Sequence, residues 1–315
     1  MRAAPVERVE IHVTYHCDDA CVFCSEEKRM AWYGPDAERT EFLEELLARA
    51  AARGVRHVNF TGGEPTLHPE FVRLAATAKQ LGLTTYVGTN GTMLAREDFA
   101  RAAAPLLDEV SLSLHGPDAA VHDAMTVRAG SFEFLRAAAT HVRRFHPEAL
   151  LLANVVVIQD NLAHAAATVR RAAEWGCRQV LVSNVAPEGA VADDYGRFAV
   201  RLGALRAHVP EIARAADECG VALRFFGVPV CALGRAHMAR SNDLHWAPRS
   251  TVERAYADDG RTRVKLHTVT EHAPTRNRIK TARCAGCAAD GVCGGFFAAY
   301  HRVWGDAELE PLAAR

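Results

Sequence analysis

Three cysteines, Cys17, Cys21 and Cys24, stand in the segment CDDACVFC, separated by three residues and then by two. Three thiolates on one loop can hold three irons of a cubane iron–sulfur cluster. The fourth iron is then left without a protein ligand, so a small molecule can bind it. Structural zinc asks for four ligands, usually as cysteine pairs two to four residues apart. No fourth cysteine lies nearby, although His16 directly precedes Cys17. A second group reads RCAGCAADGVCGGF and carries Cys284, Cys287 and Cys293, with Cys231 upstream in VPVCALG. Four thiolates can saturate one [4Fe–4S] cluster. A zinc knuckle with four cysteine ligands would satisfy the same spacing. Six of the nine cysteines thus fall in two tight groups. Cys177 and Cys219 flank glycine joints and read as core thiols.

The rest of the chain must position these loops. One joint recurs: an amphipathic helix ends in glycine and a short β-rich run starts soon after, as at Gly54, Gly82, Gly176 and Gly220. Phe42, Leu43, Leu46 and Leu47 form one helical face, and Phe71, Leu74, Ala75 and Ala78 another. Further strands are expected over 9–14, 109–114 and 151–158. All are short apolar runs without strict alternation, the pattern of strands buried on both faces. Strands alternating with helices imply a parallel sheet with right-handed crossovers. Six such units precede Gly220, too few to close an eight-stranded barrel. The expected fold is therefore α/β, an open partial (β/α)6 TIM-like barrel whose loops after the strands line the active face. After Phe226 the rhythm breaks. Residues 232–261 are polar without a clean period, and 262–269 read as a strand, half of a hairpin. The expected division is a barrel over 1–227 and a small cysteine-rich module over 228–315.

The segment CDDACVFC resembles the Cys-x3-Cys-x-aromatic-Cys signature of the radical S-adenosylmethionine (SAM) superfamily, with Phe23 at the aromatic position. The resemblance implies that SAM chelates the open iron through its amino and carboxylate groups. An electron from the [4Fe–4S] cluster then breaks the sulfonium C–S bond, giving a 5′-deoxyadenosyl radical that abstracts hydrogen. The protein's share is to position SAM and exclude water. In TGGEPTL, Gly62, Gly63 and Glu64 match the family's GGE motif, implied to hold the SAM amino group. Glycine lets the backbone approach the ligand, and a carboxylate pairs with an ammonium. Alone, GGEP also reads as a plain turn. By the same resemblance Thr89 and Asn90 of GTNG lie near SAM, and Ser113 of SLSLHG contacts the ribose. Asn154 is a polar position near SAM, and Asn184 and Val185 sit beside the adenine. For the threonine and the asparagines, the competing reading is a strand-end turn or cap. His115 replaces an acidic residue common after the fourth strand. Arg128 is a candidate clamp for the SAM carboxylate, against a plain solvated arginine.

The second group resembles the auxiliary-cluster modules called SPASM and twitch, which match Cys-x2-Cys-x5-Cys with a β-hairpin upstream. A full SPASM module needs about seven cysteines for two clusters. Here Gly294, Gly295 and Phe296 stand where a further cysteine would be expected. The resemblance therefore implies at most one auxiliary [4Fe–4S] cluster, held by Cys231, Cys284, Cys287 and Cys293.

Bulk properties bound the partners. The 315 residues carry 37 Lys and Arg against 38 Asp and Glu, a net charge of −1, which argues against nucleic acid as the main partner. No apolar run is long enough to span a membrane, and the first residues lack the apolar stretch of a signal peptide. A cytoplasmic location is expected, where cysteines serve metals or reactive thiols rather than disulfides. The 15 histidines form no HxxxH or HxH pattern on one helix. There is no phosphate-binding GxxxxGK and no GxGxxG. The resemblance implies a substrate that is a peptide or protein, or else a small metabolite such as a sugar or nucleotide. It also implies an electron donor such as flavodoxin or ferredoxin. The alternative from another class is a non-catalytic zinc or electron-transfer protein. The GGE motif stands against that, because a bare electron carrier needs no amino-acid site.

Overall fold

The structure is a computed structural model that describes residues 5–34, 37–256 and 263–313. Nine strands form one sheet: β1 (Arg8–Thr14), β2 (His57–Gly62), β3 (Thr84–Thr89), β4 (Glu109–Ser113), β5 (Leu150–Val157), β6 (Gln179–Asn184), β7 (Ala222–Phe226), β8 (Arg249–Tyr256) and β9 (Arg263–Glu271). Their order is β7-β6-β5-β4-β3-β2-β1-β8-β9. Neighbours from β1 to β7 are parallel, β8 is parallel to β1, and β9 returns antiparallel to β8. The partial barrel of βα units is thus present, extended at its first strand by two more.

Helices cover one face of this sheet. The helix Thr40–Ala52 buries Leu43 and Leu47, and Phe71–Gln80 buries Phe71, Leu74, Ala75 and Ala78. They pack on Val9, Ile11, Val58, Phe60, Val87, Val110 and Leu112, all buried. A fully buried Leu or Phe side chain contributes about 1.5–3 kcal/mol. The glycines that close these helices, such as Gly82 (φ 74°) and Gly220 (φ 65°), sit in the left-handed region with open space where a Cβ would stand.

Two expectations change. The strands are not apolar on both faces. β3 alternates between half-buried and buried residues, and the face turned from the helices is polar. There Asn59 Nδ2 donates to Glu10 Oε1 at 3.4 Å, Tyr86 is hydrogen-bonded to Ser111, and Ser183 Oγ donates to Asn154 Oδ1 at 2.8 Å. A partial barrel encloses a lumen, and this lumen is lined for a polar occupant. Second, the polar stretch 232–261 is not featureless. It takes in most of the short helical segment Val230–His237 and the strand β8, which docks on the open edge of β1. The strand expected over 262–269 is β9, over Arg263–Glu271, with residue 262 outside the described residues.

Beyond β9 lie a two-stranded ribbon of Arg278–Ile279 with Phe296–Phe297 and the helix Ala298–Trp304. A buried ion pair, Arg278 with Asp243 at 2.9 Å, anchors the ribbon. The amide of Gly294 also donates to Asp243, at 2.8 Å. Among the described residues no helix is long and apolar enough to cross a membrane.

Candidate functional site

The three-cysteine loop follows β1 and is strapped down on three sides. The amides of Ala20 and Val22 donate to Thr126 O and Met125 O, each at 3.0 Å. Gly63 N donates to Thr14 O at 2.9 Å, Glu64 N to His16 O at 2.7 Å, and Ala190 N to Cys24 O at 2.9 Å. The loops after β1, β2 and β6 are thereby bound to one another. Gly62 and Gly63 allow this: a Cβ on either would lie 2.2 Å from Thr14 O or 2.3 Å from His16 O. What their missing side chains admit is the backbone of the cysteine loop, whereas the sequence suggested room for a ligand. Phe23 is buried, its ring edge-on to His115 at 4.8 Å.

Burial raises the thiols of Cys17, Cys21 and Cys24 above the ordinary range, that of Cys24 to about 11. The protein alone therefore does not favour three thiolates. A bound cation does, since coordination deprotonates a thiol outright.

Glu64 lies 1% exposed at the centre. Its Oε1 accepts from the amide of Thr66 at 3.1 Å, the hydroxyl of Thr66 and the hydroxyl of Thr89 at 2.8 Å. Its Oε2 accepts from Asn90 N at 2.6 Å. A carboxylate has about four lone-pair sites, and the uncrowded ones are on Oε2. Asn90 in turn donates through Nδ2 to Asp18 Oδ1 at 2.6 Å, with Cys17 Sγ at 3.9 Å. Thr89 and Asn90 thus connect the carboxylate to the cysteine loop.

Burial raises the Glu64 carboxyl to about 7 against an ordinary 4.5, its hydrogen bonds offsetting only part of that. A folded-state value above the unfolded one means that the folded chain binds more protons between the two. Stability then falls as pH rises from about 4.5 to about 7 and levels beyond, by on the order of 3 kcal/mol at most. An ammonium beside the carboxylate favours the charged form and flattens this slope. The melting temperature of SAM-free protein should decline across that range. Glu64→Gln should remove the decline, and saturating SAM should diminish it. A Glu64→Gln protein with the wild-type slope would take Glu64 out of this account.

The remaining positions divide by strand face. Ser113 pairs directly with Asn154 across β4 and β5, and Asn154 accepts from Ser183, so these three share the polar lumen face. Successive residues of a strand point to opposite faces. Thr89 pairs with Leu112 and therefore lies on the other face, where it serves Glu64. Asn184 also lies opposite Ser183. Its Nδ2 donates to Gly227 O at 3.3 Å, and its Oδ1 is buried without a partner. Val185 is buried, and its carbonyl accepts from Tyr195 Oη at 3.4 Å.

Arg128 is not a plain solvated arginine. It pairs with Asp18 at 2.8 Å and Asp19 at 3.2 Å, donates to Thr92 Oγ1 at 2.7 Å and lies over the Phe134 ring. It braces the cysteine loop through Asp18 and Asp19. His115 is a buried imidazole, held well below its ordinary value by burial and by His122. Its Nδ1 accepts from Val156 N at 3.3 Å.

Sequence reasoning missed Ser183, Gly189 and a charged wall on β1, β8 and β9. In that wall His12 lies 3.4 Å from Glu26 and 3.6 Å from Glu253, and Arg276 lies 3.7 Å from Glu253 and 3.8 Å from Glu271. These partners come from segments far apart in the chain. No local motif announces them.

The second cysteine group converges. Cys231, Cys284, Cys287 and Cys293 line one small pocket together with Pro229 and Phe296. Burial raises the thiols of Cys231, to about 11, and Cys293. Cys177 is buried and Cys219 exposed, so the core assignment holds for the first alone. Among the described residues, no three His, Cys, Asp or Glu side chains converge closely enough to hold a single metal ion.

An open parallel barrel with a three-thiol loop after its first strand, tied to a glycine–glycine–carboxylate turn after its second, defines a class of iron–sulfur enzyme. The chain belongs to the radical SAM superfamily, whose family model matches residues 11–172. Enzymes of this superfamily use a [4Fe–4S] cluster and SAM. Among its relatives, the PqqA peptide cyclase of Xanthomonas campestris pv. campestris is 30% identical over 181 residues, 57% of this chain and 47% of that protein. The AdoMet-dependent heme synthase of Nitratidesulfovibrio vulgaris is 33% identical over 150 residues, 48% of this chain and 40% of that protein. The matched regions span less than half the length of both relatives. The crystal structure of Streptococcus suis SuiB bound to S-adenosylmethionine superposes with a TM-score of 0.65 at 15% identity, covering 98% of this chain and 76% of that one. That likeness is one of fold.

Proposed function

We propose that this protein cleaves SAM reductively and directs the resulting radical to abstract hydrogen from a peptide or protein substrate. The observation that carries the reading is the Glu64 cradle, a buried carboxylate tied through Asn90 to the three-thiol loop. An amino-acid-like ligand has a reason to sit there; an electron carrier does not.

The donor sets fit the groups the family uses. Cys17, Cys21 and Cys24 supply three thiolates from one loop, and Cys231, Cys284, Cys287 and Cys293 supply four to one pocket. When bound, the first cluster and SAM supply the one-electron cleavage and the hydrogen-abstracting carbon radical.

The chain's own residues orient and shield. Glu64 would hold the SAM ammonium, and Asn90 fixes that carboxylate against the loop. Ser113, Asn154 and Ser183 offer a row of polar atoms on the lumen face for the ribose. Asn184 contributes its unpartnered oxygen only if its side chain turns, so its part beside the adenine with Val185 is the backbone. The charged wall of His12, Glu253 and Arg276 faces the same lumen and suits a polar substrate.

A peptide substrate draws support from the peptide cyclase among the relatives. The heme synthase supports the second reading, a small metabolite. A flavodoxin or ferredoxin supplies the electron in this account. A reducing, cytoplasmic setting belongs to the same proposal. The division at residue 228 also belongs to this proposal. The later segment carries the four-thiol pocket, while its β8 is hydrogen-bonded to β1 of the barrel.

The test is direct. Anaerobically reconstituted protein should hold about eight irons per chain. After reduction it should convert SAM to methionine and 5′-deoxyadenosine. Stoichiometric zinc, or no 5′-deoxyadenosine, would overturn the reading.

A further inference from the structure

The four-thiol pocket is closed by a segment that contains no cysteine. Leu309 and Pro311 line it. The amide of Leu312 donates to Cys287 Sγ at 3.4 Å, and Ala288 N donates back to Leu312 O at 2.8 Å. The amide of Glu310 hydrogen-bonds the Cys231 thiol. On the opposite wall, Cys293 Sγ accepts from Val230 N at 3.4 Å and Gly295 N at 3.3 Å. Four amides thus point at three sulfurs. A thiol is a weak acceptor; hydrogen bonds to an ionised acceptor are about twice as strong. The arrangement is one for thiolates.

The segment is itself held firmly. Glu308 accepts from Gly203 N at 3.2 Å and pairs with Arg201, and Arg206 pairs with Glu310 at 2.6 Å. Although burial raises the Glu308 carboxyl, Arg201 and Tyr300 bring it down to about 2. It therefore stays charged, and the anchor holds, at any ordinary pH.

We propose that residues 309–312 form a strap that closes the C-terminal iron–sulfur site against substrate and sets its potential through the amides of Glu310 and Leu312. The site is then an electron carrier with every iron ligated by the protein, not a place where substrate binds. The proposal rests on the cluster reading above. Counting supports it: four cysteines line this pocket, one for each iron of a cubane, against three on the first loop. Position supports it too, because Leu309 and Pro311 line the pocket beside the four thiols. Hydrogen bonds to the sulfurs and exclusion of solvent are the protein's means of tuning such a cluster. Amide hydrogens favour the more negative, reduced form, so they raise the potential.

The experiment uses full-length chain with Cys17→Ala, Cys21→Ala and Cys24→Ala, so that iron resides only at the C-terminal site. In that background Leu312→Pro and Glu310→Pro each delete one amide donor, and Leu312→Ala keeps it. The background should hold about four irons, and added cyanide should leave its electron paramagnetic resonance spectrum unchanged. Each proline variant should titrate at a more negative potential and lose iron to a chelator roughly five- to tenfold faster than Leu312→Ala. A cyanide-shifted spectrum overturns the closed site without reliance on any strap variant. Proline variants that match Leu312→Ala in potential and chelation rate overturn the strap alone. A background that takes up zinc, or no iron, overturns the cluster reading and this proposal with it.

Discussion

With Cys17, Cys21 and Cys24 all replaced by alanine, production of 5′-deoxyadenosine should fall to nothing measurable, and iron should drop from about eight per chain to about four. The single change Cys24→Ala should abolish the reaction equally. A cluster lacking one of three thiolates cannot present a positioned open iron, so loss is complete rather than graded. The loop itself does not depend on the sulfurs for its path. Ala20, Val22 and Ala190 hold it through backbone bonds to Met125, Thr126 and Cys24, and Arg128 braces Asp18 and Asp19. Alanine variants should therefore fold, with the C-terminal cluster in place and its spectrum unchanged. Cys177→Ala is the fitting control. That thiol is buried, lines neither group, and should cost about 1 kcal/mol of stability with no loss of iron. Undiminished turnover in Cys24→Ala would sink the central claim.

The strands from β1 to β7 were legible as short apolar runs, with glycine closing the helices ahead of β2, β3, β6 and β7. β8 was not. Its residues include Arg249, Ser250, Thr251, Glu253 and Arg254, which read as loop, with Val252 buried among them. It is a strand because β1 offers an unpaired edge, and Glu10 on that edge meets Arg249 at 2.6 Å and Thr251 at 3.3 Å. An edge is a property of the assembled sheet. The cysteine spacing was legible because ligand chemistry fixes it locally. The ion pairs of Arg128 were not legible for the opposite reason: its carboxylate partners Asp18 and Asp19 lie on the cysteine loop, far back along the chain. The GGE turn was found, but for an incomplete reason. The glycines are needed where β2 meets the cysteine loop, and only the fold shows what stands beside a missing Cβ.

Gly189 is the sharpest case of that kind and gives the second large effect. It follows β6 in a segment that reads as an ordinary turn. In the structure a Cβ there would lie 2.1 Å from Cys24 O and 2.6 Å from the carbonyl of Ser25, at a φ of +56°. Both neighbours are backbone, so no side chain can swing aside. Gly189→Ala must displace either the loop after β6 or the end of the cysteine loop, and breaks the Ala190 N to Cys24 O bond in doing so. Two costs combine: about 1–2 kcal/mol for a left-handed non-glycine residue and about 1–3 kcal/mol for overpacking. Gly220→Ala separates them. It has a φ of +65° and nothing within 4 Å of its Cβ position, so it bears the first cost alone. Gly220→Ala should lower stability by about 1–2 kcal/mol and keep all its iron and its SAM cleavage. Gly189→Ala should lose roughly twice that stability, shed the iron of the first site while keeping about four at the second, and fail to cleave SAM. The measurements are chemical denaturation, iron analysis and 5′-deoxyadenosine yield on the two variants side by side. If Gly189→Ala retains both clusters and wild-type cleavage, the contact between the β6 loop and Cys24 does not position the cysteine loop.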